Sequence, residues 1–135
     1  MKHRLSWLLL AVMGFDFGIT LLGQPSSYWH DPHAAREANA LFAWFMVRGL
    51  AWYIPSILCY MAGVVGLVRL LPQRSAIITA LVFLFAHYFA GCTWLTLRFD
   101  LGIVGPVIYG VVVSIALVSI VESAMPIQCA EGKNA

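Results

Sequence analysis

Apolar residues occupy four long runs along this chain, and short polar stretches separate them. The runs cover residues 5–23, 46–71, 76–97 and 102–123. Each is long enough for a spanning helix, because about 20 residues cross the roughly 30 Å of bilayer hydrocarbon. Turn-forming residues lie between the runs, namely Pro25, Pro72 and the segment Arg98-Phe99-Asp100. The pattern therefore predicts one domain with four transmembrane helices.

The composition of the chain indicates which solvent surrounds these helices. Hydrophobic residues make up 61% of the 135 positions and charged residues 10%, whereas a soluble domain carries about 25% charged residues. We therefore expect an all-α polytopic membrane protein, a four-helix bundle whose partner is the lipid bilayer. The net charge of +2 is too small to indicate nucleic-acid binding. The three cysteines lack a C-x-x-C spacing, so neither a disulfide nor a thiol redox motif is expected.

Basic residues predict the orientation of the helices. If the amino terminus is inside, the cytoplasmic side holds Lys2, Arg4, Arg69, Arg74 and Lys133, and the outer side holds Arg36, Arg48 and Arg98. The positive-inside rule then favours an N-in, C-in multi-pass protein of the inner (cytoplasmic) membrane. The first run is similar to a secretory signal, but Asp16 interrupts it and no A-x-A cleavage pattern follows, so we expect a retained helix.

The segment from residue 24 to residue 71 is too long for one spanning helix. Asp31 and Pro32 are typical of a helix start, with Asp at the N-cap and Pro at the first helical position. Forty residues at about 1.5 Å each reach roughly 60 Å, twice the hydrocarbon thickness. We expect an outer loop and interfacial helix over residues 24–45, followed by a spanning helix over 46–71 that is kinked at Pro55. Residues 124–135 are expected to form a polar tail.

Ionisable residues inside the apolar runs define a candidate site. Asp16 lies roughly 12 Å and His87 roughly 16 Å below the outer edge, from the number of residues that separate each from the end of its run. An ionised Asp that faces lipid is costly, so Asp16 needs a partner. Arg48 and His87 are the two candidates at a suitable depth. Thr20 shares the helix face of Asp16, four positions further on.

The outer loop carries a cluster of side chains that can bind metal. His30, Asp31, His33 and Glu37 form the sequence H-D-x-H-x-x-x-E, and imidazole with carboxylate suits zinc or another transition metal. On a helix, His33 and Glu37 would be four residues apart, a spacing that binds a metal or forms a plain His–Glu hydrogen bond. The alternative is a solvated cap with neighbouring aromatic residues at the membrane interface.

Other chemistries lack partners in this sequence. His87 suits an axial haem ligand, yet no second intramembrane His accompanies it, so haem is disfavoured and no cofactor is predicted. Serines in the apolar runs lack a G-x-S-x-G context, and Lys is absent between positions 3 and 132, which disfavours serine-based catalysis. An enzyme is therefore the less favoured interpretation.

Glycines on the first helix indicate a close helix contact. Gly14 and Gly18 form a G-x-x-x-G pattern roughly opposite the face of Asp16. Small residues at this spacing let two helices approach closely. The contact is either between two copies of the chain in a homodimer or with another helix of the same bundle, and the second interpretation is favoured because such packing is general.

A set of polar residues in the first third of the chain carries a family resemblance. Asp16-x-x-x-Thr20 lies in the first run, Glu37-x-Asn39 follows it, and Arg48 comes nine positions later. This arrangement resembles an uncharacterised family of small four-helix prokaryotic membrane proteins with the pattern D-x-x-x-T, E-x-N-P and K. Here an alanine stands at the Pro and Arg48 at the Lys. The resemblance implies four spanning helices and one site for these five residues, but it implies no activity.

These observations lead to three functional hypotheses. In the first, an outward-facing polar site binds or passes a cation, a proton or a small polar solute, with Asp16 as the charge and Arg48 or His87 as its partner. In the second, the protein is an accessory subunit of a larger membrane complex, and the Asp16 contact fixes helix register. The third and least favoured is a metal-dependent membrane hydrolase. We prefer the first, because charged groups clustered at one depth are costly in a bilayer.

Overall fold

The computed structural model describes residues 1–122, and every regular element in this part of the chain is helical. The α-helices are α1 (Lys2–Leu22), α2 (Ala40–Met46), α3 (Leu50–Leu70), α4 (Gln73–Leu97) and α5 (Val104–Glu122), and 3-10 turns occur at Ser26–Trp29 and Pro32–Ala34. Helices α1, α3, α4 and α5 are long and apolar enough to cross a membrane. The prediction of an all-α protein with four such helices is confirmed. The predicted tail, residues 124–135, lies outside the described residues.

Helix α1 lies at the centre of the bundle, where it contacts α3, α4 and α5. Half of its apolar span is buried, against 28% for α3 and α4 and 6% for α5. Helix α4 makes the most extensive contact with α1. Its buried residues are Ala76, Ala80, Leu84, His87, Gly91 and Leu95. They recur every three or four positions and so share one face, and the small residues among them let the α1 and α4 backbones approach closely.

The connection between α1 and α2 differs from the predicted interfacial helix. The Asp31 side chain does accept a hydrogen bond from the His33 backbone N–H, at 2.9 Å, as an N-cap should. The helix it starts ends after one 3-10 turn, and α2 begins only at Ala40, with Asn39 as its own N-cap. The reason is a competing interaction: Gln24 binds both backbone groups of Arg36, so they are not available to a helix.

A second break separates α2 from α3, where the interfacial helix was predicted to lead into the spanning helix at residue 46. Gly49 has φ +93°, a left-handed conformation that residues other than glycine rarely adopt. The chain turns at this point, so the spanning helix starts at Leu50 rather than at residue 46. Pro55 lies inside α3, near its start. Helix α2 therefore packs on α3 as a separate short element.

The two ends of the bundle are closed by side chains that bind backbone carbonyls. We call the end where α1 and α4 finish the loop end, and the opposite one the terminal end. At the terminal end, the Lys2 ammonium donates to the carbonyl of Leu71. At the loop end, Arg98 Nε donates to the carbonyl of Gly23, and the Trp94 ring packs on that glycine. These contacts fix α1 against α3 and α4.

We expect Gly23→Ala to destabilise the loop end, because the added Cβ would lie 2.6 Å from Trp94 Cε3 and 3.0 Å from Arg98 Cγ. Overpacking of this kind costs about 1–3 kcal/mol. Thermal unfolding in mild detergent measures the loss. Gly63→Ala in α3 is the matched control, since a Cβ there has no neighbour within 4 Å among the described residues. An equal melting temperature for the Gly23 variant and wild type would contradict this packing.

Candidate functional site

A chain of three hydrogen-bonded side chains links α1, α4 and α3 inside the bundle. His87 Nδ1 lies 2.7 Å from Asp16 Oδ2, and His87 Nε2 lies 3.0 Å from the Tyr60 hydroxyl oxygen. Asp16 is 4% exposed and His87 is 7% exposed. When Asp16 is ionised, a neutral imidazole donates its Nδ1–H to the carboxylate and accepts the Tyr60 O–H at Nε2. Both bonds are then satisfied, and the group as a whole carries one negative charge.

These residues line a cavity of about 320 Å³ that extends to the loop end. Its wall is formed by α1, by the residues before and within α2, and by α3 and α4, and its polar members are Asp16, Thr20, Glu37, Asn39, Tyr60, His87, Thr93 and Trp94. Asp16 Oδ1 is buried and has no hydrogen-bond partner among residues 1–122. The carboxylate therefore retains an unused acceptor beside the cavity.

Glu37 adds a second carboxyl group to the same cavity. Burial raises the pKa of this carboxyl above its ordinary value, and the negative charge of Asp16 raises it further, although hydrogen bonds from backbone N–H groups oppose the shift. One of these bonds comes from Asn39 N–H, at 2.8 Å. Glu37 and Asp16 line the same cavity, so the two carboxyls share one electrostatic environment.

Gln24 holds the backbone segment that carries Glu37. Its Oε1 accepts from the Arg36 N–H at 2.7 Å, and its Nε2 donates to the Arg36 carbonyl at 2.8 Å. Nε2 also donates to the carbonyl of Thr20, one turn back on α1, at 2.9 Å. Gln24 is 5% exposed, so these bonds are shielded from solvent. The side chain thereby ties the residue before Glu37 directly to the end of α1.

Aromatic rings surround the histidine and limit access to it. The ring centroids of Phe17 and His87 lie 5.2 Å apart, and those of Phe17 and Phe42 lie 5.0 Å apart in an edge-to-face arrangement. The Phe42 ring also meets Tyr60 edge-to-face at 5.3 Å. An apolar surrounding lowers the local dielectric constant, which strengthens the attraction between a carboxylate and any cation that enters.

The structure brings together five of the six residues predicted for the binding site. Asp16, Thr20, Glu37, Asn39 and His87 line the same cavity. Of the two partners considered for Asp16, His87 is the one it contacts.

Arg48 lies elsewhere, exposed in the turn between α2 and α3. Its guanidinium carbon sits 3.4 Å from the centroid of the Trp44 ring, and its Nη1 donates to the Trp44 carbonyl at 2.8 Å. Arg48, the other candidate partner of Asp16, therefore makes a local cation–π contact instead.

The residues predicted as metal ligands do not meet. His30, which follows the first 3-10 turn, and His33, which lies in the second, are both exposed, whereas Glu37 lines the cavity. Among residues 1–122, no group of three or more His, Cys, Asp or Glu side chains is arranged to hold a metal ion. The helix that would have placed His33 and Glu37 on one face ends at Ala34.

Sequence reasoning missed four residues of the site: Gln24, Tyr60, Thr93 and Trp94. The sequence carries one signal for Tyr60: it lies seven positions after another tyrosine, Tyr53, and residues seven apart share a helix face. The structure shows that Tyr53 is fully buried. Gln24 ends an apolar run and precedes a proline, where an amide is usually read as a loop residue. Its contact with Arg36 joins two segments twelve residues apart, which periodicity does not reveal.

A double-mutant cycle tests the contact between Asp16 and His87. We expect Asp16→Ala and His87→Ala each to destabilise the protein, and their effects to be non-additive by about 0.5–3 kcal/mol because the residues share one hydrogen bond. The readout is the free energy of unfolding in mixed micelles. The control cycle pairs Asp16→Ala with Arg48→Ala, which should be additive because Arg48 binds Trp44. The observed pairing would be contradicted if the Asp16 and Arg48 substitutions were non-additive while the Asp16 and His87 substitutions were additive.

Comparisons of this chain with protein families, curated proteins and solved structures found no match. The central features of the site are a buried carboxylate with one free acceptor, a second carboxyl at the loop end, and walls of aromatic rings.

Proposed function

We propose that the protein binds a small amine-bearing cation in the cavity lined by Asp16 and Glu37. The observation that carries this proposal is the buried Asp16 carboxylate, which retains an acceptor without a partner while the cavity beside it is lined by no Lys or Arg of the described residues. His87 contacts Asp16 but need not carry a charge to do so. A ligand with a positive charge and N–H donors would complement both properties of the site.

The carboxyl oxygens available in the cavity favour an ammonium group over a divalent metal ion as the ligand. Calcium takes six to eight oxygen ligands and magnesium a near-octahedral shell. Asp16 Oδ2 is already committed to His87, and Glu37 already accepts from a backbone N–H. By contrast, an alkylammonium needs only a few acceptors, and its carbon atoms fit against the rings of Phe17 and Phe42. A cavity of about 320 Å³ accommodates such a ligand.

A purely structural role for Asp16 explains less of the site. An ion pair that only fixes helix register needs neither a cavity beside it nor a second carboxyl. Charged groups inside a membrane are costly and are usually retained for a function. With the amino terminus in the cytoplasm, as the basic residues indicate, the loop end faces outward. The proposed ligand then enters from the outer side of the inner membrane.

Calorimetric titration with propylammonium tests the proposal. We expect Asp16→Asn and Glu37→Gln each to weaken binding by about tenfold or more, because hydrogen bonds to charged groups contribute about 1.5–3 kcal/mol. Glu122→Gln is the matched control, since it removes an exposed carboxylate at the end of α5. Neutral 1-propanol should bind far more weakly than propylammonium. Equal affinities for the two, or unchanged affinity in Asp16→Asn, would overturn the proposal.

The raised pKa of Glu37 predicts how binding depends on pH. Below that pKa the carboxyl is protonated and neutral, and above it the carboxylate attracts the ligand, whose own pKa of about 10.4 keeps it charged throughout. Affinity should therefore increase with pH, and this increase should occur above the range of an ordinary glutamate. Titrations at a series of pH values measure the effect. The Glu37→Gln variant should lose this part of the profile, and Glu122→Gln should keep it.

A further inference from the structure

A second cavity adjoins the first at the loop end and carries the opposite charge. It has a volume of about 290 Å³, and its lining includes Arg36, Glu37, Trp94 and Arg98. Glu37 and Trp94 line both cavities. The two spaces therefore meet at a shared wall, with carboxylates on one side and guanidinium groups on the other.

The two arginines have donors that the protein leaves unused. Among the described residues the ion pair is that of Asp16 with His87, so neither Arg36 nor Arg98 is paired with a carboxylate there. Arg98 uses its Nε for the Gly23 carbonyl, which leaves its two terminal amino groups. Arg36 is held through its backbone by Gln24, and its guanidinium makes no hydrogen bond within residues 1–122. Two such groups on one cavity suit a phosphate ester, which guanidinium binds through paired N–H donors.

A single ligand can satisfy both cavities if its amine and its phosphate are only a few bonds apart. In an ethanolamine phosphodiester, two carbon atoms join the ammonium to the phosphate oxygen. A primary ammonium also has N–H groups that can donate to Asp16 Oδ1, which has no partner among residues 1–122. The quaternary ammonium of choline has no N–H group.

The surroundings of the arginine cavity favour a lipid as the source of this phosphodiester. Leu97, which lines the cavity, is 79% exposed, and Leu41, which lines the acidic one, is 60% exposed. In a chain with four membrane-spanning helices, exposed leucines at the helix ends lie where hydrocarbon meets headgroups. A headgroup could occupy both cavities while its acyl chains remain in the bilayer.

We propose that the two cavities together hold the headgroup of an ethanolamine phospholipid. Its phosphate binds Arg36 and Arg98, and its ammonium reaches past Glu37 toward Asp16. This inference rests on the proposed amine site and identifies the class of ligand for it.

The first experiment compares two soluble probes, propylammonium and glycerophosphoethanolamine, by calorimetric titration. Wild type should bind glycerophosphoethanolamine about tenfold or more tightly than propylammonium, because the phosphate adds charge-assisted hydrogen bonds. Arg36→Ala should remove this advantage. It should change the affinity for propylammonium by no more than about twofold, because the Arg36 guanidinium makes no hydrogen bond within residues 1–122. Arg98→Lys is a second variant that keeps the charge but loses the paired donors. Arg48→Ala, outside both cavities, is the matched control.

The outcomes separate this inference from the proposed function. If propylammonium fails to bind wild type, the proposed amine site is overturned and the headgroup inference with it. Two results would overturn only the headgroup inference. Wild type could bind propylammonium and glycerophosphoethanolamine with equal affinity, or the Arg36→Ala variant could still bind glycerophosphoethanolamine more tightly than propylammonium.

The second experiment tests the lipid source by native mass spectrometry of protein taken from vesicles with equal amounts of phosphatidylethanolamine, phosphatidylcholine and phosphatidylglycerol. Wild type should retain phosphatidylethanolamine preferentially, and Glu37→Gln should lose that preference because it weakens the ammonium site. Arg36→Ala should lower the retention of all three lipids, since each carries the phosphate. Arg48→Ala should keep the preference of wild type. Equal retention of the three lipids, even with tight binding of the soluble phosphodiester, would overturn the lipid as the ligand.

Discussion

The hydrogen bond between Asp16 and His87 is the constraint on which the rest of the site depends. A carboxylate inside an apolar bundle requires a partner, and the sequence offers a histidine on α4 and an arginine after α2. Pairing with arginine would cancel the charge of Asp16. Pairing with histidine need not, because a neutral imidazole donates to the carboxylate at Nδ1 and is itself satisfied by Tyr60 at Nε2. When Asp16 is ionised, this choice of partner leaves the cavity negative and able to attract a cation.

Close packing between α1 and α4 makes this bond short. The buried face of α4 contains alanine and glycine above and below His87, which lets the two helices approach. Gly91, one turn beyond the histidine, has no room for a larger side chain, since a Cβ there would lie 3.1 Å from Tyr109 and 3.6 Å from Ile19. The position of α4 relative to α1 is thus fixed on several sides. In this arrangement His87 Nδ1 lies 2.7 Å from Asp16 Oδ2.

Much of the fold could be predicted from the sequence, because membrane spans depend on length and hydropathy alone. The depth estimate also placed Asp16 and His87 in one layer, which helical rise determines. The connection between α1 and α3 was harder to predict. Its backbone follows specific hydrogen bonds from Gln24 to Arg36, and these join residues distant in sequence. Arg48 was one of two candidate partners for Asp16 because an unpaired charge favours an opposite one, but it makes a local cation–π contact with a neighbouring tryptophan instead.

Placing Glu37 on a tethered loop rather than on a spanning helix gives the site two charged zones at one end of the bundle. A helical residue at this point would present a single face to one neighbour, whereas the extended segment before α2 lets Glu37 line both the acidic and the basic cavity. Gln24 binds the backbone of Arg36, the residue before Glu37. These hydrogen bonds hold both Arg36 and Glu37 in place. One buried amide therefore sets the positions of a carboxylate and a guanidinium of opposite charge. A ligand that carries both charges would match this arrangement better than one that carries either charge alone.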